Sequence, residues 1–401
     1  MYKCFNRASH AAFAAVVPIA TVALLSSACA AQKAVQAPAK EQVTTASVAL
    51  PNGMFANPIV RSRDAADPWL TYRDGYYYFT FTVGRSIEIW RSTTITGLDS
   101  GKKVTIWRAP AKGPNSQHVW APEVHFLNGR WYVYYTATDG PDANRRQFVL
   151  EATTSDPQGP YLDRGRLVVP EEDEYAIDGT VFQAKRGALY FLWSGREKSA
   201  RGPQNLYIAP MISPYKISGP RVKLSTPSYA WEKIGWGVNE GPEVLERNGK
   251  TFIIYSASGG TTPDYCLGML TNTDGNLLRA ESWTKSPVPV FAKYSGPDGV
   301  VYTPGHNSFS KSPDGKEDWI IYHAKNNKDG TWGGRTARAQ RFTWNSDDTP
   351  HFGTPIPTGI PLRLPGGEAG TMPRPITPVR EGAPVRSSRG SEGLPASRTN
   401  E

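Results

Sequence analysis

Cysteine is almost absent from this chain of 401 residues, which contains only Cys4, Cys29 and Cys266. Three cysteines, the first of them in a segment expected to be removed, exclude a disulfide framework. They also exclude a zinc site made of clustered thiolates. Cys266, in the stretch DYCLGML, is therefore expected to be a small buried hydrophobic residue.

Hydrophobic runs long enough to span a membrane are also lacking. The apolar stretch at residues 11–25 has the length of a signal-peptide core and is too short for a comfortable span. We predict a signal peptide over residues 1–30, ended either by cleavage at a small-residue site or by processing that leaves Cys29 lipid-modified. Both routes predict an extracytoplasmic protein, periplasmic or secreted, which meets the membrane only if Cys29 carries a lipid.

The basic residues form no cluster, although the formal net charge is +9. Lys and Arg are dispersed, without a run of five or more, so the sequence lacks the basic stripe of a nucleic-acid-binding protein. The charge is interpreted as a solvated basic surface, with attraction to an acidic polymer as the alternative.

Aromatic residues are abundant at 11% of the chain, and 38 Gly and 34 Pro are scattered as turn residues. No long segment shows the 3.6-residue period of a helix, so the composition predicts an all-β protein of many short strands. Residues 31–55 lack periodicity and are predicted to be a linker. The Gly-, Pro-, Ser- and Arg-rich residues 366–401 are predicted to be a flexible tail.

A polar-glycine turn followed by an aromatic and β-branched strand recurs five times between these two segments. Examples are RDGYYYFTFT, LNGRWYVYYTA and RNGKTFIIYSASG. The turn glycines of the five copies, spaced 54 to 66 residues apart, are Gly75, Gly129, Gly187, Gly249 and Gly315. Short strands precede and follow each copy. This repeat predicts a five-bladed β-propeller over residues 56–365, and a two-domain sandwich is the competing architecture.

Counting back from the turn glycines brings reactive residues into one repeated position. Asp178, Glu240 and His306 lie nine residues before their glycines. Asp67 lies eight residues before its glycine, and in the second copy Trp120 lies nine before. The innermost strand of each propeller blade lines the central channel, and its first residue lies at the channel mouth. We therefore expect these side chains to meet at one site.

Three carboxylates beside a tryptophan and a histidine suit the hydrolysis of a glycosidic bond. One acid must donate a proton to the leaving oxygen, and a second must accept a proton from water. A third acid nearby can raise the pKa of the donor and orient it. Two further acids compete for these roles, but Asp64 is interpreted as a turn residue and Glu123 as structural.

In these motifs the chain resembles glycoside hydrolase family 43, whose members are five-bladed β-propellers. The resemblance covers roughly residues 56–365 and consists of ADP, WAPEV, IDGTVF, NEGPEV and PGHNSF in the family's order. It implies an inverting mechanism with Glu240 as general acid and Asp67 as general base. It implies that Asp178 modulates the pKa of the acid and orients it. No organic cofactor is implied.

The resemblance implies further roles around the acids. Trp120 is expected to contact the sugar. His306 matches a histidine near the channel axis that approaches a bound Ca²⁺ or Na⁺ through water, so it is the candidate metal contact as well as a candidate substrate contact. Arg335 matches an arginine that reaches the modulator or the sugar. His323, on the strand after His306, is expected to be a buried, hydrogen-bonded core histidine.

Family members cleave arabinofuranosides or xylosides, and the WAPEV and NEGPEV strands are most similar to those of its α-L-arabinofuranosidases. We predict release of L-arabinofuranose from α-L-arabinofuranosides or arabinan, so the expected partner is an arabinose-containing oligo- or polysaccharide. A β-xylosidase and an endo-1,5-α-L-arabinanase of the same family are the alternatives. A non-catalytic sugar-binding propeller is the alternative of another class, but it would not need three acids at one site. The oligomeric state is left open.

Overall fold

The computed structural model describes residues 50–170, 172–197 and 202–368. The strands of this part form five antiparallel sheets and one additional short strand pair. The predicted signal peptide, residues 1–30, lies outside the described residues, as do residues 31–49 of the predicted linker and 369–401 of the predicted tail. No helix within the described ranges is long and apolar enough to cross a membrane.

The first two blades contain four strands each, hydrogen-bonded in chain order. The short strand β1 (Met54–Phe55) precedes them. Blade one consists of β2 (Trp69–Arg73), β3 (Tyr76–Thr80), β4 (Ser86–Ser92) and β5 (Lys102–Arg108). Blade two consists of β6 (Gln117–Leu127), β7 (Arg130–Thr138), β8 (Arg146–Ala152) and β9 (Tyr161–Leu167). Short 3-10 helices occupy two of the connections, at Ile95–Ser100 and Asp142–Asn144.

The other three blades follow the same order, with extra short strands at their edges. Blade three consists of β10 (Ala176–Gln183), β11 (Leu189–Gly195), β12 (Asn205–Ser213), β13 (Lys216–Ile217) and β14 (Val222–Ser225). Blade four consists of β15 (Asn239–Arg247), β16 (Lys250–Ala257), β17 (Cys266–Asn272) and β18 (Trp283–Lys285). Blade five consists of β19 (Tyr294–Gly296), β20 (Gly299–Lys311), β21 (Asp318–Lys325), β22 (Thr336–Trp344) and β23 (Pro350–His351). β24 (Leu362–Arg363) ends the described fold, and the 3-10 helices of this half are Ala230–Glu232 and Ala280–Ser282.

The blades form a closed ring, which confirms the predicted five-bladed propeller. Innermost strands of neighbouring blades contact one another: β2 contacts β6, β10 contacts β15, and β15 contacts β20. Between blades two and three, β7 contacts β10. The contact of β20 with β2 brings blade five back to blade one. The ring is thus closed by contact between the first and last blades, and the competing two-domain sandwich is wrong.

Contacts between the first and last segments of the described fold accompany this closure. β1 pairs with β24, although Met54 and Phe55 lie within the predicted linker. The N–H of Ile59 donates to the carbonyl of Ala337 on β22 at 2.9 Å, so the N-terminal segment runs beside the last blade before it enters the first. The ordered fold therefore begins before residue 56.

Each turn glycine lies in the hairpin loop that follows an innermost strand, as the sequence predicts. In blades one, two and four, two-residue hairpin loops join the first and second strands, and both loop residues have positive φ. The loops are Asp74-Gly75, Asn128-Gly129 and Asn248-Gly249. Asn-Gly and Asp-Gly favour this type I′ turn, which matches the twist of the flanking strands. Local sequence thus fixes where these hairpins turn.

The strands read as nearly continuous apolar runs because both faces of each blade are buried. On β16, Ile253 and Tyr255 pack toward blade three, whereas Phe252 and Ile254 pack toward blade five. Successive side chains of a strand point to opposite faces, so one strand contributes to two blade interfaces. This burial fixes the rotation of each blade and, with it, the direction of the innermost strands.

Candidate active site

The innermost strands share a backbone feature where they begin. In or just before each strand, one equivalent position has a left-handed conformation, with φ between 43° and 56°: Asp67, Ala121, Asp178, Gly241 and His306. β6 and β20 contain a second left-handed residue, at His118 and Thr303. The pairing between strands places Glu240 and Trp120 one residue before the equivalent left-handed position. Glu240 pairs with Ser256 and Trp120 pairs with Thr136. The equivalent pair in blade three is Ile177 with Ser194, and Ile177 is the residue before Asp178. The prediction that Glu240 and Trp120 share a position with Asp178 and His306 is therefore wrong by one residue.

Loop length explains the difference. Blades one, two and four have two-residue hairpin loops, so the left-handed residue lies eight positions before the turn glycine. In blades three and five the strands separate earlier, at Gln183↔Leu189 and Lys311↔Asp318, and the count becomes nine. Counting across loops of unequal length mixed two neighbouring positions.

Hydrogen bonds between neighbouring blades hold these left-handed residues. The N–H of Ala121 donates to Thr82 Oγ1 at 2.8 Å, and that of Asp178 donates to Thr136 Oγ1 at 3.0 Å. The N–H of His306 donates to Ser256 Oγ at 2.7 Å. Each acceptor belongs to the preceding blade, so blades one, two and four each hold the left-handed residue of the next blade.

A cavity of about 600 Å³ opens where the innermost strands begin. All six predicted site residues line it: Asp67, Trp120, Asp178, Glu240, His306 and Arg335. The other lining residues, which were not among the predicted site residues, are Thr82, Asp142, Arg145, Tyr175, Ile177, Arg196, Gln204, Trp236 and Trp332. The structure thus brings the three acids together, as the repeat predicts.

Asp67 is held as a carboxylate. Thr82 Oγ1 donates to its Oδ2 at 2.6 Å, and Arg335 Nη1 donates to its Oδ1 at 3.1 Å. Burial opposes ionisation, but His306 and Arg335 together hold the pKa of Asp67 well below its usual range. Asp67 can therefore accept a proton at neutral pH. Arg335, expected on the modulator or the sugar, instead binds the predicted base.

Glu240 is held from both sides. Tyr265 donates its hydroxyl hydrogen to Oε1 at 2.8 Å, and Gln204 Nε2 donates to Oε2 at 2.7 Å. Burial raises the pKa of Glu240, although His306, Tyr265 and Gln204 act in the opposite direction. A raised pKa is what a proton donor requires. Tyr265 and Gln204 lie outside the recurring motifs, so no local signal pointed to them.

Asp178 is buried, with only 5% of its surface exposed. Burial raises its pKa to about 8, and the charges of Glu240 and Asp67 add to this rise although His306 opposes it. Two carboxyls that repel each other in this way lose their protons as a pair rather than independently. At neutral pH the site therefore holds an ionised Asp67 and retains a proton on the Asp178–Glu240 pair.

Two histidines pack against Asp67, and their pKa values shift in opposite directions. Nδ1 of His306 lies 3.4 Å from Asp67 Oδ1; burial lowers the pKa of His306, but the surrounding carboxylates outweigh burial and raise it. Burial lowers the pKa of His323 to about 4, so this residue is neutral at neutral pH. Its Nδ1 accepts the N–H of Asp67 at 3.2 Å. His323 is the buried, hydrogen-bonded histidine predicted, but it also positions the base.

Charged side chains form one wall of the cavity next to Trp120. The guanidinium of Arg145 lies 3.9 Å from the centre of the Trp120 ring. Asp142 forms an ion pair with Arg145 and another, at 2.9 Å, with Arg196 of blade three. Trp120 thus borders the cavity beside a bridge between blades two and three.

The rival acids take structural positions. Asp64 accepts the N–H of Gly334 at 2.6 Å in an exposed loop, in keeping with a turn residue. Glu123 is buried at 5% exposure, lies 2.8 Å from His125 Nε2 and does not line the cavity. Cys266 is free and buried, as predicted.

A directly bound metal does not fit the residues around His306. No group of three or more His, Cys, Asp or Glu side chains is arranged to hold an ion within the described ranges. A single imidazole supplies no oxygen ligand of the kind that Ca²⁺ prefers. We therefore derive no step through a metal, and a water-mediated contact of His306 with Ca²⁺ or Na⁺ stays a prediction.

The propeller, the cavity and its oppositely shifted acids define a glycoside hydrolase. Residues 55–350 match the family model described as glycosyl hydrolases family 43. The chain belongs to this family.

Similar proteins agree with this assignment. The chain is 41% identical over 328 residues to an "Extracellular exo-alpha-(1->5)-L-arabinofuranosidase" of Streptomyces avermitilis, covering 79% of this chain and 67% of that protein. It is 38% identical to "Alpha-L-arabinofuranosidase 43" of Humicola insolens, covering 79% and 67%. The crystal structure of an α-L-arabinofuranosidase from Lactobacillus brevis superposes with a TM-score of 0.71 at 37% identity, covering 76% of this chain and 98% of that one.

Proposed function

We propose that the protein is an extracytoplasmic, exo-acting α-L-arabinofuranosidase that releases L-arabinofuranose from α-L-arabinofuranosides or arabinan. The observation that carries the reaction is that acids with opposite pKa shifts line one cavity, with the pKa of Asp67 lowered and that of Glu240 raised. The names of the relatives support the choice of arabinofuranose and an exported protein. Lipid attachment at Cys29 remains part of this proposal as an alternative to secretion.

In the proposed reaction, Glu240 donates a proton to the glycosidic oxygen as the bond to the anomeric carbon breaks. Asp67 takes a proton from a water molecule that attacks the anomeric carbon from the opposite face, so the configuration inverts. Asp178 modulates the pKa of Glu240, because the two carboxyls repel each other when both are ionised. Tyr265 and Gln204 then stabilise the carboxylate that Glu240 becomes, because both donate hydrogen bonds to it.

The substrate is tested by incubating the protein with nitrophenyl α-L-arabinofuranoside, nitrophenyl β-D-xyloside and debranched arabinan. We expect nitrophenol from the arabinofuranoside and free arabinose from arabinan. Preference for the xyloside would make the protein a β-xylosidase, and internal cleavage of arabinan would make it an endo-arabinanase. NMR of the first sugar released tests the stereochemistry, and retention of configuration would contradict the proposed mechanism.

The catalytic roles are tested with Glu240→Gln and Asp67→Asn. Loss of either group is expected to lower kcat on arabino-oligosaccharides by about 10²- to 10⁴-fold. A dinitrophenyl arabinofuranoside, whose leaving group needs no protonation, should restore much of the rate to Glu240→Gln and none to Asp67→Asn. If the wild-type protein binds arabino-oligosaccharides without releasing arabinose, it is a sugar-binding propeller instead.

A further inference from the structure

Two tryptophans at the rim of the cavity have no part in the proposed proton transfers. Trp236 is 42% exposed and Trp332 is 56% exposed, and both line the cavity. Their ring centroids are 6.2 Å apart and the ring planes meet at 55°, so the indoles form an open V. Large apolar surface exposed beside a binding cavity marks a place where a ligand contacts the protein.

Two consecutive glycines underlie this pair. A Cβ atom at Gly259 would lie 2.7 Å from the Trp236 ring, and a Cβ at Gly260 would lie 2.8 Å from the Trp332 ring. Each indole therefore packs against the backbone of one glycine, which any larger residue would prevent. The sequence GG after β16 thus fits the two exposed rings.

The loop that carries Trp236 is anchored next to the proposed acid. Glu232, which is fully buried, accepts hydrogen bonds from Lys285 Nζ at 2.8 Å and from Asn239 Nδ2 at 2.9 Å. Asn239 is the residue before Glu240 on β15. One buried network therefore fixes the start of β15 and the loop bearing the first indole.

Trp332 is connected to the proposed base. Arg335 Nε donates to the carbonyl of Trp332 at 2.9 Å, and its guanidinium lies 5.3 Å from the centre of the Trp332 ring. The same guanidinium donates to Asp67. Both indoles are thus held in fixed relation to the carboxylates on either side of the bond to be cleaved.

We propose that Trp236 and Trp332 form the subsite for the leaving group of the substrate, a second α-1,5-linked arabinofuranosyl residue. This inference rests on the proposed function. The sugar that is released occupies the acid-lined part of the cavity, so the exposed rim meets what lies beyond the scissile oxygen. The C–H groups of a furanose ring pack on an indole face, which removes apolar surface from water.

The test compares kcat/KM for α-1,5-arabinotriose with kcat/KM for methyl α-L-arabinofuranoside, whose leaving group is too small to reach both indoles. The ratio of the two values is expected to fall about 10- to 100-fold in Trp236→Ala and in Trp332→Ala. Gly259→Ala should lower the ratio in the same direction, because its Cβ displaces the Trp236 ring. Tyr215→Ala is the matched control, since Tyr215 is an aromatic residue 40% exposed that does not line the cavity.

An unchanged ratio in both tryptophan variants would overturn the subsite. If the tryptophan variants lose kcat/KM only on arabinosylated xylan and not on arabinotriose, the leaving group is not an α-1,5-linked arabinofuranosyl residue, and that part of the proposal is overturned. Failure of the proposed function looks different, because the wild-type protein would then release arabinose from neither substrate. If the alanine variants do not fold, Trp236→Phe and Trp332→Phe must show a smaller fall in the same ratio, and an unchanged ratio counts against the proposal.

Discussion

Tyr265 donates its hydroxyl hydrogen to Oε1 of Glu240 at 2.8 Å. The tyrosine is almost fully buried, and its ring stacks on His323 with centroids 5.6 Å apart and planes 6° from parallel. His323 in turn accepts the N–H of Asp67. One side chain therefore connects the proposed acid to the residue that positions the proposed base.

Tyr265→Phe is expected to lower kcat and to change its pH dependence. The lost hydrogen bond stabilises the Glu240 carboxylate, so removing it raises the pKa of Glu240 further. Activity requires protonated Glu240 and is lost as pH rises through this pKa. The alkaline limb of the kcat profile should therefore move to higher pH, while the rate at the optimum falls about tenfold. A lower rate with an unmoved limb would mean that Tyr265 only fills space.

Asp178→Asn is expected to move the same limb in the other direction. Asp178 and Glu240 repel each other when both are ionised, and this repulsion contributes to the pKa of about 8 for Asp178. Removing the charge of Asp178 lowers the pKa of Glu240, so activity should disappear at lower pH than in the wild type. The measurement is kcat recorded from about pH 4 to about pH 9 at intervals of about one pH unit. A limb that stays in place would contradict the modulator role.

Gly241→Ala tests the close approach of His306 to blade four. Gly241 has a φ of +52°, and a Cβ there would lie 3.3 Å from His306 Nδ1. The substitution should displace His306 from Asp67 and lower kcat about 10- to 100-fold. Gly249→Ala is the matched control, because Gly249 also has positive φ but its Cβ would meet nothing within 4 Å.

Both glycine variants should lose about 1 to 2 kcal/mol of unfolding free energy to backbone strain. Only Gly241→Ala should lose activity beyond that common effect. Equal activities in the two variants, measured at a temperature where both are folded, would show that His306 tolerates the added methyl group.

Glu232→Ala is expected to destabilise the fold. The carboxylate of Glu232 is fully buried and pairs with Lys285 at 2.8 Å. Removing it leaves the Lys285 ammonium without its partner, which costs about 3 to 5 kcal/mol of unfolding free energy. Urea unfolding measures this loss. Glu197→Gln, which breaks an exposed pair with Lys223, is the control and should leave the unfolding midpoint unchanged. If Glu232→Ala changes the unfolding midpoint as little as Glu197→Gln does, water has taken the place of the missing carboxylate.

The sequence alone determined the features that depend on neighbouring residues. Turn glycines such as Gly129 need positive φ, and the strands beside them carry apolar residues on both faces, so the number of blades could be counted along the chain. The same repeat predicted that Asp67, Asp178 and Glu240 would meet, and all three line one cavity.

Only the tertiary structure decided how the blades meet one another. The register that places Glu240 one residue before the left-handed position depends on hairpin loop length. The contact of Arg335 with Asp67 depends on ring closure between the first and last blades. Tyr265 and Trp332 reach the site from connections outside the recurring motifs. Local patterns specify strands and turns because those interactions are short-range, whereas these contacts join residues that closure of the ring brings together.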